Sequence, residues 1–321
     1  MGFDDPIERD ASDAALHRQP KPFPERKANG NRHACADIAP LRRYEAAMPT
    51  ETAYAKLNLA LHVRARRADG YHDLESLFAF CTDGDSLSAE PRDDGELTLT
   101  IEGDFADDLD PGDDNLVLRA ARALQAASGT MLGADLVLDK SLPIASGIGG
   151  GSADAAATLR LLVRLWGLRP MDIDFPRVAA SLGADVPACL GSQTMFGTGI
   201  GERLEPVDLD LAGMPVLLVN PLVPCPTGPV FRGWDGIDRG SLDPQEWRRG
   251  RNDLAAPAIA LVPEIDEVLA VLKAQLPSLA RMSGSGATCF ALFGSEAERD
   301  AAADRIEADH PDWWTLATSL R

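Results

Sequence analysis

One stretch constrains the fold of this chain more than any other. Lys140-Ser141-Leu142-Pro143-Ile144-Ala145-Ser146-Gly147-Ile148-Gly149-Gly150-Gly151-Ser152-Ala153-Asp154 runs straight into an Ala- and Leu-rich segment that ends near Trp166. Glycine admits positive φ and lets backbone approach a ligand closely. Ser152 is a good N-cap for the helix expected behind it. A row of amides facing one way forms an anion nest, and the helix N-terminus adds about half a positive charge. Pro143 stiffens the entry. A Walker A loop is excluded because the chain contains no Gly-Lys dipeptide. A dinucleotide fingerprint starting at Gly147 fails because Ser152 stands where Gly or Ala is required. The plain alternative is a flexible turn before a helix. Asp154, in the expected first turn, serves either the helix dipole or a ligand.

Charge makes such a nest necessary if the ligand is anionic. The 321 residues carry 31 Lys and Arg against 50 Asp and Glu, a net charge of -19. A duplex-binding protein needs a basic face, so nucleic acid is excluded as a partner. With 45% hydrophobic and 25% charged residues the chain is globular. Five cysteines, Cys35, Cys81, Cys189, Cys225 and Cys289, form no C-x-x-C pair. They point to a reducing cytoplasm rather than to a disulfide framework or a zinc site. No apolar run reaches membrane-spanning length, so no membrane partner is expected.

Residues 1–47 mix charge, Pro and Gly without period. They are expected to be a disordered or non-native extension, upstream of a gene that starts at Met48, and the chain becomes organised from Tyr54. Ala55 to Val63 alternates and predicts a half-buried strand. Arg66 to Gly70 predicts a turn, and Leu74 to Phe80, Leu97 to Ile101 and Ala134 to Leu138 predict strands. Helices are expected over Asn115 to Ala127, Val178 to Leu182, Glu264 to Leu276 and Glu296 to Ala308, and strands over Met214 to Val219 and Cys289 to Phe293. Strands come in runs rather than in strict βαβ alternation, so the class is α+β. A break near 205–213 divides an N-terminal domain, 48–208, from a C-terminal one, 209–321.

Pro143 to Ala156 resembles the phosphate-loop motif P-x-x-x-G-[LI]-G-[GS]-[GS]-S of the GHMP kinases. The form Gly149-Gly150-Gly151-Ser152-Ala153-Asp154 is similar to one branch, the 4-diphosphocytidyl-2-C-methyl-D-erythritol kinases. Ala55-Lys56-Leu57-Asn58-Leu59, Arg66-Arg67-Ala68-Asp69-Gly70-Tyr71-His72 and Leu182-Gly183-Ala184-Asp185-Val186-Pro187 match the same branch, as do Asn252-Asp253-Leu254 and Met282-Ser283-Gly284-Ser285-Gly286-Ala287. Ser146 departs from the Gly or Ala usual there. The resemblance runs from about residue 50 to the end.

The resemblance implies a two-domain GHMP kinase fold, with an N-terminal ribosomal-protein-S5-like α/β domain and a C-terminal ferredoxin-like α/β domain. It implies transfer of the ATP γ-phosphoryl to the 2-hydroxyl of the branch's cytidyl substrate, in the non-mevalonate route to isopentenyl diphosphate, with Mg²⁺ and no named protein ligand for it. Another GHMP kinase, for mevalonate or homoserine, is the alternative. ATP is expected along Pro143, Ile144, Ala145, Ser146, Gly147, Ile148, Gly149, Gly150, Gly151, Ser152 and Ala153. Asp185 and Lys56 are the implied catalytic pair. From residues alone, Asp185 is equally a turn or cap carboxylate on a non-helical bend before Pro187, and a lone Lys on a strand usually points to solvent. Asn58 shares the face of Lys56 and either binds substrate or makes a strand-end contact. Tyr71 and His72 are implied to hold the cytidine, by stacking and by hydrogen bonding. Asp253 is either part of the site or a helix cap. A monomer or homodimer is expected.

Overall fold

The computed structural model describes residues 48–321, so the extension expected over residues 1–47 lies outside them. The long hairpin of β1 (Thr50–Arg66) and β2 (His72–Arg92) is the spine of the first sheet. It is followed by β3 (Leu97–Glu102), α1 (Leu116–Ser128), β4 (Gly133–Asp139), α2 (Gly150–Leu165), α3 (Phe175–Leu182), α4 (Val186–Gly191), β5 (Met195–Gly199) and β6 (Arg203–Pro206). The second half contains β7 (Pro215–Asn220), α5 (Thr227–Arg232), α6 (Ala255–Leu261), α7 (Glu264–Ala274), β8 (Leu279–Met282), β9 (Cys289–Leu292), α8 (Glu296–Asp309) and β10 (Trp314–Ser319).

The first sheet runs β3-β4-β2-β5-β6, with β1 on the other edge of β2, and the second runs β10-β7-β9-β8. Among the described strands only β3 and β4 pair in parallel. β2 is long enough to pair β5 through Leu74–Phe78 and β4 through Ser86–Arg92. Between those two partners it receives the chain's end: Cys81 bridges Leu320, and Arg321 N–H donates to Phe80 C=O.

Three apolar slabs explain the layering. Phe78, Phe80 and Leu87 pack against helices α1 to α4, led by the alanines of α2. Ala55, Leu57 and Leu59 face Val216, Leu218, Phe290 and Leu292 of the second sheet. Leu217, Val219, Cys289 and Ala291 point away from the first sheet, toward α6, α7 and α8. The period-2 alternation of β7 and β9 thus serves two cores.

β1 is therefore not half-buried. Every residue from Ala55 to Val63 is buried, because helices cover one face and the second sheet covers the other. Its polar residues are buried and bonded, so Lys56 does not point to solvent. The free edge of β1 organises the loops. Lys56 N–H donates to Ile148 C=O (2.9 Å), Leu61 N–H to Arg251 C=O (2.8 Å) and Asp253 N–H to Leu61 C=O (2.9 Å). Asp253 does not cap α6. Its carboxylate accepts from Val63 N–H at 2.9 Å, and Leu254 holds the cap position.

Two further local expectations need correction. α2 begins at Gly150 with Gly149 as its cap, in the left-handed region at φ 68°, so Ser152 lies inside the first turn. Asp185 stands at the N-cap position of α4 with right-handed backbone (φ -86°, ψ -17°) and without a side-chain cap bond, and Val186 is already helical. Pro187 sits in the first turn, where a missing N–H costs nothing. That preference outweighs its bias on the residue before it.

Candidate active site

The phosphate loop is held at its middle by neighbouring elements. Besides the β1 bond to Ile148, Thr288 N–H donates to Ser146 C=O (3.1 Å) and Ser283 Oγ–H to Gly147 C=O (3.0 Å). Ala145, Gly147 and Gly149 have φ of 51°, 77° and 68°. Left-handed backbone at alternate positions turns successive amides to one side, which is the geometry of an anion nest. At Gly147 the space demands glycine as well, and at Gly149 a side chain would press on Lys56. A Cβ on Gly147 would lie 2.5 Å from Ser283 C=O, and one on Gly149 would lie 3.0 Å from Cε of Lys56.

The loop borders a cavity of about 760 Å³. Lys56, Asn58, Tyr71, His72, Asp185, Ala145, Ser146, Gly147, Gly149, Gly150, Gly151 and Ser152 all line it. Pro143, Ile144, Ile148 and Ala153 do not; Ile148 and Ala153 are buried in the cores instead.

Lys56 is 4% exposed, and its ammonium lies 3.0 Å from the Asp185 carboxylate. It also donates to Asn58 Oδ1 (3.3 Å) and stands 4.6 Å from the Phe78 ring centroid. Asn58 Nδ2–H donates to Ser76 Oγ at 2.8 Å, and Ser76 in turn donates to Ala60 C=O at 2.9 Å. This chain of bonds fixes the lysine's direction from below. The Asp185 side chain is 38% exposed, so its free oxygen is open to the cavity.

Tyr71 is 61% exposed at the cavity wall. His72 is buried, with its ring 5.2 Å from Phe231 and 5.8 Å from Trp234 between centroids. Burial, aided by the Arg66 guanidinium, lowers its pKa below the usual 6.5. Arg66 Nε–H donates to His72 Nε2 at 3.3 Å. The neutral ring therefore carries its proton on Nδ1, which has no hydrogen-bond partner among the described residues.

Asp154 serves neither the helix dipole alone nor the cavity. It is buried, and Lys140 donates to its Oδ2 at 2.7 Å. Sequence reasoning missed this partner, and it missed Phe78, Thr227, Phe231 and Arg232 on the cavity wall. Phe231 carries no motif, and only its packing on His72 reveals it. Lys140 was visible as a lone cation beside the loop.

The GHMP kinases N-terminal domain model matches residues 115–193, and the GHMP kinases C-terminal model matches 239–312. A 4-diphosphocytidyl-2-C-methyl-D-erythritol kinase of Rhizorhabdus wittichii is 56% identical over 282 residues, covering 85% of this chain and 95% of its own. The enzyme of that name from Sphingopyxis alaskensis is 54% identical, covering 84% and 98%. The chain belongs to the 4-diphosphocytidyl-2-C-methyl-D-erythritol kinase family. A crystal structure of a 4-(cytidine 5′-diphospho)-2C-methyl-D-erythritol kinase superposes with TM-score 0.74 at 34% identity, covering 85% of this chain and 99% of that one. A homoserine kinase from Cytophaga hutchinsonii shares the fold at TM-score 0.63, with 14% identity. As a member of this family the chain is an ATP-dependent small-molecule kinase with the two-domain α+β GHMP fold. No helix among the described residues is long and apolar enough to cross a membrane.

Proposed function

We propose that the chain transfers the γ-phosphoryl of ATP to the 2-hydroxyl of 4-diphosphocytidyl-2-C-methyl-D-erythritol, in the non-mevalonate route to isopentenyl diphosphate. The observation that carries the reading is the Lys56–Asp185 pair at 3.0 Å, in contact with the glycine loop and inside one cavity with Tyr71, His72 and Phe231.

Phosphoryl transfer needs positioning, charge neutralisation and an acceptor for the hydroxyl proton. Asp185 takes that proton as the substrate oxygen forms its bond to the γ-phosphorus. The bond between that phosphorus and the β–γ bridging oxygen breaks, and its electron pair leaves with ADP. No phosphoenzyme intervenes. Lys56 offsets the negative charge that develops, and its burial strengthens that interaction. The nest over residues 145–151 and the N-terminus of α2 hold the nucleotide phosphates, with the Ser152 hydroxyl beside them.

The residues present fit a Mg²⁺ that arrives with the nucleotide. Among the described residues no group of three or more His, Cys, Asp or Glu is placed to hold a metal, and Mg²⁺ keeps mostly phosphate and water ligands in such sites. Ser152, which lines the cavity, would offer the ion a hydroxyl, and the ion would neutralise charge on the phosphates. The cytidine stacks on Tyr71 and accepts a hydrogen bond from Nδ1–H of His72. A cytoplasmic setting fits the unpaired, buried Cys81, Cys189, Cys225 and Cys289.

The test is ADP release from ATP with three alcohols: the cytidyl-methylerythritol substrate, mevalonate and homoserine. Turnover with the first alone is expected. Preference for mevalonate or homoserine would overturn the assignment, because neither has a base to stack on Tyr71.

A further inference from the structure

A buried ionic cluster lies directly behind the phosphate loop, outside the cavity. Lys140 Nζ donates to Asp85 Oδ2 at 2.5 Å and to Asp154 Oδ2 at 2.7 Å. Asp85 Oδ1 also accepts from the backbone N–H groups of Ser141 (2.7 Å) and Leu142 (2.8 Å). The three residues are 2%, 0% and 3% exposed. We propose that Lys140 is a positioning residue for the nucleotide: with Asp85 and Asp154 it clasps the two ends of the phosphate loop and fixes the spacing of the amides that hold the ATP phosphates. The proposal rests on the reading of residues 145–151 as the nucleotide cradle.

Three observations favour this over a role in stability alone. First, the cluster is a poor stabiliser. Two carboxylates and one ammonium share a dry site, and apolar side chains of similar volume would stabilise it as well or better. Asp154 Oδ1 is buried without a hydrogen-bond partner among the described residues, which adds a further cost. Second, the cluster ties the two ends of the loop to each other, beyond the separate anchors of the entry at Glu102, Phe105 and Trp314. Lys56, Ser283 and Thr288 pin residues 146–148, the middle of the loop, whereas Asp85 holds the entry at 141–142 and Asp154 holds the exit from the second turn of α2. Lys140 joins the two ends through one nitrogen. Third, that nitrogen lies under the cradle itself. A Cβ built on Gly150 would sit 3.1 Å from Lys140 Nζ, and Gly150 lines the cavity on its other side. Releasing the ammonium would free the first turn of α2 to shift relative to Gly147 and Gly149.

The informative variant is Asp154→Leu. It removes the orphaned oxygen and the exit clasp, and leaves Lys140 paired with Asp85. The account predicts that thermal stability at pH 8 holds or rises while affinity for a non-hydrolysable ATP analogue falls about tenfold, roughly 1.4 kcal/mol. Calorimetry gives the affinity, and KM for ATP should move with it. Binding of cytidine 5′-diphosphate should change less than about twofold, because the cytidine wall lies elsewhere in the cavity. Asp154→Asn, which keeps an amide oxygen for Lys140, should restore most of the ATP-analogue affinity. If Asp154→Leu does not fold, Lys140→Gln, whose amide can still donate to a carboxylate, carries the same expectation for the two ligands. Unchanged ATP-analogue affinity in the folded variant, or equal losses for both ligands, would overturn the proposal. A wild-type chain that binds neither ligand would instead sink the underlying reading of the cavity.

Discussion

The ammonium of Lys56 and the carboxylate of Asp185 stand 3.0 Å apart although 129 positions separate them in the sequence. The contact is built from two directions. β1 delivers Lys56 between Asn58 and the Phe78 ring, and the start of α4 delivers Asp185. The lysine is buried and the aspartate half-open, so the pair has a protein side and a solvent side. An incoming hydroxyl can therefore reach the carboxylate without displacing the lysine.

Gly149→Ala tests whether the loop and the lysine act as one unit. The new methyl group would meet Lys56 Cε at 3.0 Å in left-handed backbone. The backbone cost is about 1–2 kcal/mol, enough to lower the melting temperature by a few degrees. Turnover should fall much further than stability does, because the lysine must move. Thermal melts and steady-state kinetics on one preparation would check this. Turnover near wild type would mean that Lys56 tolerates displacement.

Tyr71→Ala should raise KM for the cytidyl substrate and leave KM for ATP nearly unchanged. Base stacking on an aromatic ring contributes about 1–3 kcal/mol, a change of about five- to 150-fold. His72 adds a pH signature. Burial and Arg66 hold its pKa below 6.5, so the ring is neutral around pH 7. Protonation at lower pH would remove Nε2 as the acceptor for Arg66 Nε–H and place two cations together. KM for the cytidyl substrate should thus stay flat through neutrality and rise only below pH 6.5. A rise centred at or above 6.5 would contradict this placement of the ring.

Asp154 shapes the stability of the fold with pH. Burial raises its pKa from 3.8 to about 7, because desolvation outweighs the attraction of Lys140, an ammonium it shares with Asp85. The folded state then holds a proton that the unfolded chain has released. The resulting stability is complete below the unfolded value and is lost as pH rises through the folded one. Denaturant titrations should show this contribution declining between about pH 4 and pH 7, and Asp154→Asn should flatten that part of the curve. The same slope in both proteins would place the titration elsewhere.

The parts of the site that were legible in the sequence are those where one residue type has one physical use. Glycines at 147 and 149 predicted left-handed backbone at a close approach, and both show it. The strand through Ala55 to Val63 was legible from its period, but its second buried face was not. Alternation records which residues are apolar, and here the polar side, Lys56, Asn58 and His62, is buried through partners distant in sequence. Helix starts were misplaced where capping signals competed. Ser152 is a good cap, yet Gly149 holds that position because the tight turn needs its positive φ. Pro187 implied a bend but opens a helix. β5, β6, β8 and β10 were not anticipated. β6 and β8 are four residues long and β5 is five, and pairing rather than alternation defines them. Phe231 and the Lys140 cluster could not be seen because their meaning lies in contacts with His72, Asp85 and Asp154.

The most direct measurement compares turnover and nucleotide affinity in Asp185→Asn, with Lys56→Met alongside. Asp185 is open enough to solvent for the amide to be accommodated without refolding the site. If Asp185 accepts the substrate proton, its variant should lose at least about a hundredfold in kcat, the usual contribution of a general base. Affinity for the ATP analogue should stay within about twofold in the same protein. Lys56→Met should follow the same pattern. Wild-type kcat in either variant, or a loss that lies wholly in ATP binding, would contradict the assignment of this pair to the transfer step.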